Sequence, residues 1–146
     1  VVAAVTPPTV PDRPTVPHEV LLDTCAVIDL DQLDLGDLAQ ARPLVSAVSI
    51  GELAYGLDVD DPVERAARTE RYYAALRRFE VVPFDTAAAK VYGTMAALVR
   101  RAGRSPRPRR LDLQIAATAA ASRLPLVTRN AADFAGLDRL LDVISV

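Results

Sequence analysis

Five short apolar runs, each separated from the next by a dozen or more residues, constrain this chain more than any other feature. They are EVLLD at 19–23, PLVSAVS at 43–49, EVVPF at 80–84, LPLVT at 124–128 and LDVISV at 141–146. Runs this short and this apolar suit strands buried on both faces, and buried strands joined through helices run parallel, because a tight hairpin cannot close a parallel pair. The pattern predicts an α/β fold: a doubly wound, mostly parallel sheet flanked by helices. Functional sites in such folds form beyond the carboxyl ends of the strands.

The connecting segments carry helix signals. AVIDLDQLDLGDL at 26–38 spaces its leucines and isoleucine for a helix or a helix plus turn. Ser49 with Glu52 three residues on has the spacing of a capping box. Pro62 opens a charged helix over 62–79, and Asp85 is a natural N-cap for a helix from Thr86 to about Arg101. The alanine-rich stretch 111–123 predicts a helix with a narrow small-residue face of Leu113, Ile115, Ala116, Ala119 and Ala120. Residues 129–140 read as a loop with one helical turn. No repeat of 20–50 residues is present.

With 146 residues, 51% of them hydrophobic, the chain suits one domain with one core, burying about two thirds of its surface. The domain is placed at 19–146. Residues 1–18 form a Pro-rich tail, with five prolines in the first 17 positions, and are expected to be extended and mobile. There is no apolar signal core and no membrane-length run, so a soluble cytoplasmic protein without membrane contact is expected.

His18 is the only histidine and Cys25 the only cysteine. A Ser-His-Asp triad, a Cys-His pair, a multi-histidine or thiolate zinc site and an internal disulfide are thereby excluded. Carboxylates must carry any catalysis. Net charge is −2, but residues 86–111 contain no acid, and RRAGRSPRPRR at 100–110 holds six arginines, which supplies a local basic face.

Asp23 follows the first strand, Asp112 opens a helix, and Asp133 follows the fourth strand, so a parallel sheet can bring all three to one edge, within reach of Glu52. Converging carboxylates raise one another's pKa and call for a cation to stay ionised. A hard divalent ion on oxygen ligands, with water completing its shell, suits phosphodiester cleavage.

LLDTC at 21–25, SAVSIGELAYGL at 46–57, RLDLQIAATAAAS at 110–122 and LVTRNAADF at 126–134 resemble, in order and spacing, the successive motifs of PIN-domain proteins, particularly ribonuclease toxins of the VapC type. The likeness runs from Val20 to the C-terminus. It implies catalytic acids at Asp23, Glu52, Asp112 and Asp133, with Asp23 and Asp112 as direct metal ligands and Thr24, Thr128 and Asn130 in support. Some members carry the fourth acid where this chain has Asn130, others at the position of Asp133. The implied activity is Mg²⁺-dependent endoribonuclease cleavage, with Mn²⁺ as a substitute, leaving 5′-phosphate and 3′-hydroxyl ends. The implied partners are RNA, a cognate VapB-type antitoxin and a second copy of the chain.

Plainer readings stand beside these. Asp85 is read as a cap and left out of the site; Asp29, Asp31, Asp34 and Asp37 read as a solvated face, with Asp29 nearest the site. Glu52 can serve the capping box instead, and Asp112 can serve as an N-cap. Cys25 reads as a small packing residue, and the arginine run as either solvated loop or a contact for RNA phosphate or acidic antitoxin groups. Tyr72 and Tyr73 read as packing residues, and so few aromatics predict little base stacking. A phospho-receiver would need an acidic pair after the first strand, and a phosphatase of the haloacid dehalogenase type a second Asp where Cys25 stands. A catalytically silent PIN-like module that binds RNA or a partner is the alternative function.

Overall fold

The computed structural model describes residues 2–5 and 16–146. Most of the N-terminal tail expected at 1–18, namely residue 1 and residues 6–15, lies outside the described residues.

All five apolar runs form strands: β1 (Glu19–Leu22), β2 (Arg42–Ser46), β3 (Glu80–Val82), β4 (Leu126–Thr128) and β5 (Val143–Ser145). They make one sheet in the order β3-β2-β1-β4-β5, and every neighbouring pair is parallel. The chain winds outward from β1 through β2 and β3, then returns to the other side of β1 for β4 and β5. The order therefore reverses between β1 and β4, and the crevice beyond their carboxyl ends is the place where doubly wound folds put ligands. Leu21 pairs with Leu126 and Leu22 with Val127, so Asp23 and Thr128 leave the sheet side by side. The Asp23 N–H still donates to the Val127 carbonyl at 2.9 Å.

Alternate strand residues point to opposite faces, and each face has its own core. Leu21, Leu44 and Leu126 pack with Met95, Val99, Leu113 and Ile115. Val20, Leu22, Val45 and Val127 pack with Ala26, Val27, Ala75 and Phe79. The helices flanking the sheet are α1 (Thr24–Ile28), α2 (Ala47–Tyr55), α3 (Pro62–Arg78), α4 (Thr86–Arg101) and α5 (Arg110–Ala121).

The structure revises four local readings. The expected helix over 26–38 is the short α1 followed by 3-10 turns at Leu30–Gln32 and Gly36–Gln40, the second entered with Gly36 at φ +52°. Its leucines pack on the sheet from these turns, with Leu30 buried and Leu33, Leu35 and Leu38 partly so. The second strand ends at Ser46, whose Oγ accepts from the Val48 N–H at 3.0 Å and caps α2. Ser49 is therefore inside α2 and fully buried, and the capping box with Glu52 does not form. Asp112 is in the first turn of α5, not at its N-cap, which is Arg109. The face of α5 is broader than expected: every residue from Ile115 to Ala119 is buried, because alanines let α4 and the sheet approach closely from several sides.

Asp61 caps α3 and Asp85 caps α4, the latter by accepting from the Ala88 N–H at 2.9 Å. Among the described residues no helix is long and apolar enough to cross a membrane.

Candidate active site

Asp23 occupies the turn from β1 into α1 and is only 5% exposed. Its Oδ1 accepts from the Thr24 N–H at 2.8 Å, and its Oδ2 from the Thr128 hydroxyl at 2.8 Å. The Cys25 thiol lies 3.5 Å from the same Oδ2, and burial pushes that thiol above its ordinary pKa, so it is a proton donor rather than a thiolate. Thr128 is fully buried at the end of β4 and also accepts from the Asn130 N–H at 3.1 Å. One hydroxyl thus ties the carboxylate after β1 to the loop after β4.

Thr24 does the same between α1 and α2. Its Oγ1 lies 2.8 Å from Glu52 Oε1 and 2.8 Å from Ser49 Oγ. A hydroxyl has one proton and free lone pairs, so Thr24 can give its proton to the Glu52 carboxylate and accept from Ser49. Glu52, released from any capping duty, is held over the crevice. Burial raises its pKa most and the charge of Asp23 adds to that, while the Thr24 hydrogen bond opposes both.

Asp112 sits in the first turn of α5, where a helix dipole favours an anion. Its pKa is nevertheless pushed up to about 6, first by burial and then by the charges of Asp23, Glu52 and Asp133, with Arg109 acting the other way. Four acids separated by up to 110 residues in sequence therefore share one electrostatic neighbourhood at the switch point. Asp133, on the 3-10 turn Ala131–Phe134, is tethered: Arg109 Nη1 donates to its Oδ1 and to its backbone carbonyl, both at 3.0 Å. Asn130 starts that turn and is exposed, its side chain making no capping bond.

Among the described residues, no three His, Cys, Asp or Glu side chains close into a ready-made ligand set. Mg²⁺ commonly takes only one or two protein carboxylates and completes its shell with water and substrate oxygens. The donor set here is of that kind: hard oxygens, in mutual repulsion that a cation would relieve.

Of the four acids read as a solvated face, three have partners. Asp29 pairs with Arg129, the residue after Thr128, at the rim of the crevice. Asp31 pairs with Arg78, and Asp34 accepts from the Gly36 N–H. Sequence reasoning missed Ser49 and Arg109. Ser49 had a usable signal, since it precedes Glu52 by one helical turn and so shares its face. Arg109 had none, being one arginine among six.

A family model of the PIN domain matches residues 20–140. The chain belongs to the PIN-domain family. This PIN domain is similar to a solved member of the VapBC family of toxin-antitoxin systems, VapBC-5 from Mycobacterium tuberculosis, with 30% identity and a TM-score of 0.73 over 89% of this chain and 100% of that one. FitAcB from Neisseria gonorrhoeae matches at 25% identity and a TM-score of 0.65 over 86% of this chain and 96% of that one. VapBC2 from Rickettsia felis, solved bound to a DNA fragment from its promoter, shares the fold at 23% identity and a TM-score of 0.70, covering 87% and 98%. Comparison with curated proteins finds no matching relative.

Proposed function

We propose that this PIN domain is a Mg²⁺-dependent endoribonuclease, the VapC-type toxin of a toxin-antitoxin pair that acts in the cytoplasm. The observation that carries the reading is Asp112, whose pKa rises to about 6, first through burial and then through the charges of Asp23, Glu52 and Asp133 around it. A chain that gathers that much negative charge at a switch point, with no histidine in the fold's interior, is equipped for cation-assisted phosphodiester hydrolysis. The kinship with VapBC proteins supports the same choice.

In this reading Asp23 and Asp112 hold the metal. Bound there, Mg²⁺, or Mn²⁺ in its place, supplies Lewis-acid stabilisation of the charge that develops on the phosphate oxygens. Thr128 fixes the orientation of the Asp23 carboxylate. Glu52 takes a proton from the attacking water, and the Thr24 hydroxyl keeps its carboxylate aimed into the crevice. Asp133 and Asn130 border the site from the loop after β4, where Arg109 restrains Asp133. Water attacks phosphorus, the 3′-oxygen leaves, and the ends produced are a 5′-phosphate and a 3′-hydroxyl. A VapB-type antitoxin is the proposed partner that holds the enzyme in check.

The test is RNA cleavage by the purified chain with Mg²⁺ or Mn²⁺, with excess EDTA, and with Asp112→Asn. Cleavage should need the metal and fall on the order of 10²-fold or more in the folded variant. Full activity in chelator, or wild-type cleavage by folded Asp112→Asn, overturns the proposal. RNA binding without cleavage favours a catalytically silent module.

A further inference from the structure

The six arginines of residues 100–110 do not share one role. Arg104 Nη2 donates to the Ala135 carbonyl at 2.9 Å, and Arg109 holds Asp133. Both are half-buried, and together they clamp the loop after β4. Arg107 and Arg110 are exposed and form no ion pair among the described residues. They line a cleft of about 390 Å³ whose other walls include Glu52 and Asp112. Two cations thus border the acids without neutralising them, which leaves them for an anion that enters from outside.

A second cleft, of about 460 Å³, adjoins the first, with Glu52 and Leu111 common to both. Its surface is largely apolar. Tyr55, the last residue of α2 and one turn beyond Glu52, is 81% exposed, and Leu111 is 45% exposed. Gly51 leaves the floor open, since a Cβ there would meet nothing within 4 Å. Gln114 brings an amide that can both donate and accept. An unpaired aromatic face beside an amide, next to two unpaired arginines, matches the parts of a nucleotide: a flat base with polar edges, joined to a phosphate.

We infer that the two clefts form one subsite for an unpaired nucleotide next to the scissile bond, with Arg107 and Arg110 on its phosphate and Tyr55 and Leu111 under its base. The inference rests on the nuclease reading and adds to it the residues that hold the strand beside the acids. A paired base is stacked within its helix and cannot reach Tyr55. Tyr55 is then an exception to the scarcity of aromatic contacts expected from composition.

The experiment measures binding by fluorescence anisotropy in the Asp112→Asn background, using a short labelled single-stranded RNA, its abasic ribose-phosphate counterpart and an RNA duplex. Joint replacement Arg107→Ala and Arg110→Ala should weaken binding to both single strands and flatten the salt dependence by about 0.7 in log–log slope for each phosphate no longer neutralised. The same change at Arg100 and Arg101, exposed on the end of α4 and lining neither cleft, should do much less. Tyr55→Ala should lose about tenfold in affinity for the RNA and nothing for the abasic strand, with Tyr55→Phe restoring it. The duplex should bind more weakly than the single strand. Unchanged affinity and slope in these variants, while the wild-type chain cuts RNA, overturn the subsite alone. A wild-type chain that neither binds nor cuts RNA overturns the subsite together with the nuclease reading. If Tyr55→Ala instead changes the mass seen by light scattering and leaves RNA affinity intact, the face belongs to a second copy and the inference is wrong.

Discussion

Asp112 binds its proton more tightly in the folded chain than in an unfolded one, where a pKa near 3.8 applies. Its contribution to stability is therefore fully present below that value and is lost as pH rises through about 6. For a half-buried group screened by solvent the loss is on the order of 1–2 kcal/mol. Metal-free protein should melt at a lower temperature at pH 7 than at pH 5. Asp112→Asn should be the more stable protein at pH 7, with a flatter dependence; the raised Glu52 leaves a residual slope of the same sign. Calorimetry in EDTA checks this, and an Asp112→Asn variant less stable than wild type at pH 7 would contradict it. Thr128 works in the opposite sense, since its buried hydroxyl satisfies both Asp23 and the Asn130 N–H. Thr128→Val should cost about 2–3 kcal/mol by leaving a buried carboxylate oxygen and an N–H without this partner. Thr128→Ser keeps the hydroxyl and should cost about 1 kcal/mol or less. Chemical denaturation of the two variants separates the hydrogen bonds from the methyl group.

At the scale of elements, two aspartates beside helix starts have different work. Asp85 lies after β3, at the edge of the sheet, and its carboxylate is spent on the Ala88 N–H. Asp85→Asn should be silent in both stability and RNA cleavage, because asparagine caps about as well as aspartate, whereas Asp85→Ala should cost about 1 kcal/mol and still leave cleavage unchanged. A dead Asp85→Asn enzyme would move the site one strand along the sheet. The turn at Ala131–Phe134 depends on a clamp outside itself, from Arg104 and Arg109. Arg109→Ala should speed hydrogen exchange across residues 131–135 with a global cost under about 1 kcal/mol, as the ion pair is partly exposed.

For the whole molecule, the parallel order fixes where everything meets. β1 and β4 are adjacent although about a hundred residues separate them, so the site exists only once β4 has docked. The helices leave apolar side chains uncovered, among them Tyr73 and Leu76 on α3. On the proposed function such surface is suited to a second copy or to an antitoxin. Light scattering should give a mass near twice the chain's 15.7 kDa, or a larger complex when a cognate antitoxin is added. A monomer under both conditions would count against both partners.

The apolar runs determined the sheet. Short apolar runs suit strands buried on both faces, as the central β1 and β4 are, and their spacing leaves room for the crossovers that parallel pairing needs, so the α/β class was legible in the sequence. Asp85 was legible as a cap for the same local reason: the bond it makes spans three residues. Family motifs singled out Asp23, Glu52, Asp112 and Asp133, and the fold brings Asp112 within range of the charge of the other three. Ser46 and Ser49 offered equal local chemistry for starting α2, and only packing chose between them, by burying Ser49 against Thr24. The leucines of 26–38 had helical spacing, yet the sheet took them from turns. The bonds Thr128–Asp23, Thr24–Glu52 and Arg109–Asp133 join residues 105, 28 and 24 positions apart. Periodicity reports only on neighbours along one element, so contacts of that range come into being with the tertiary fold and have no signature in the local sequence.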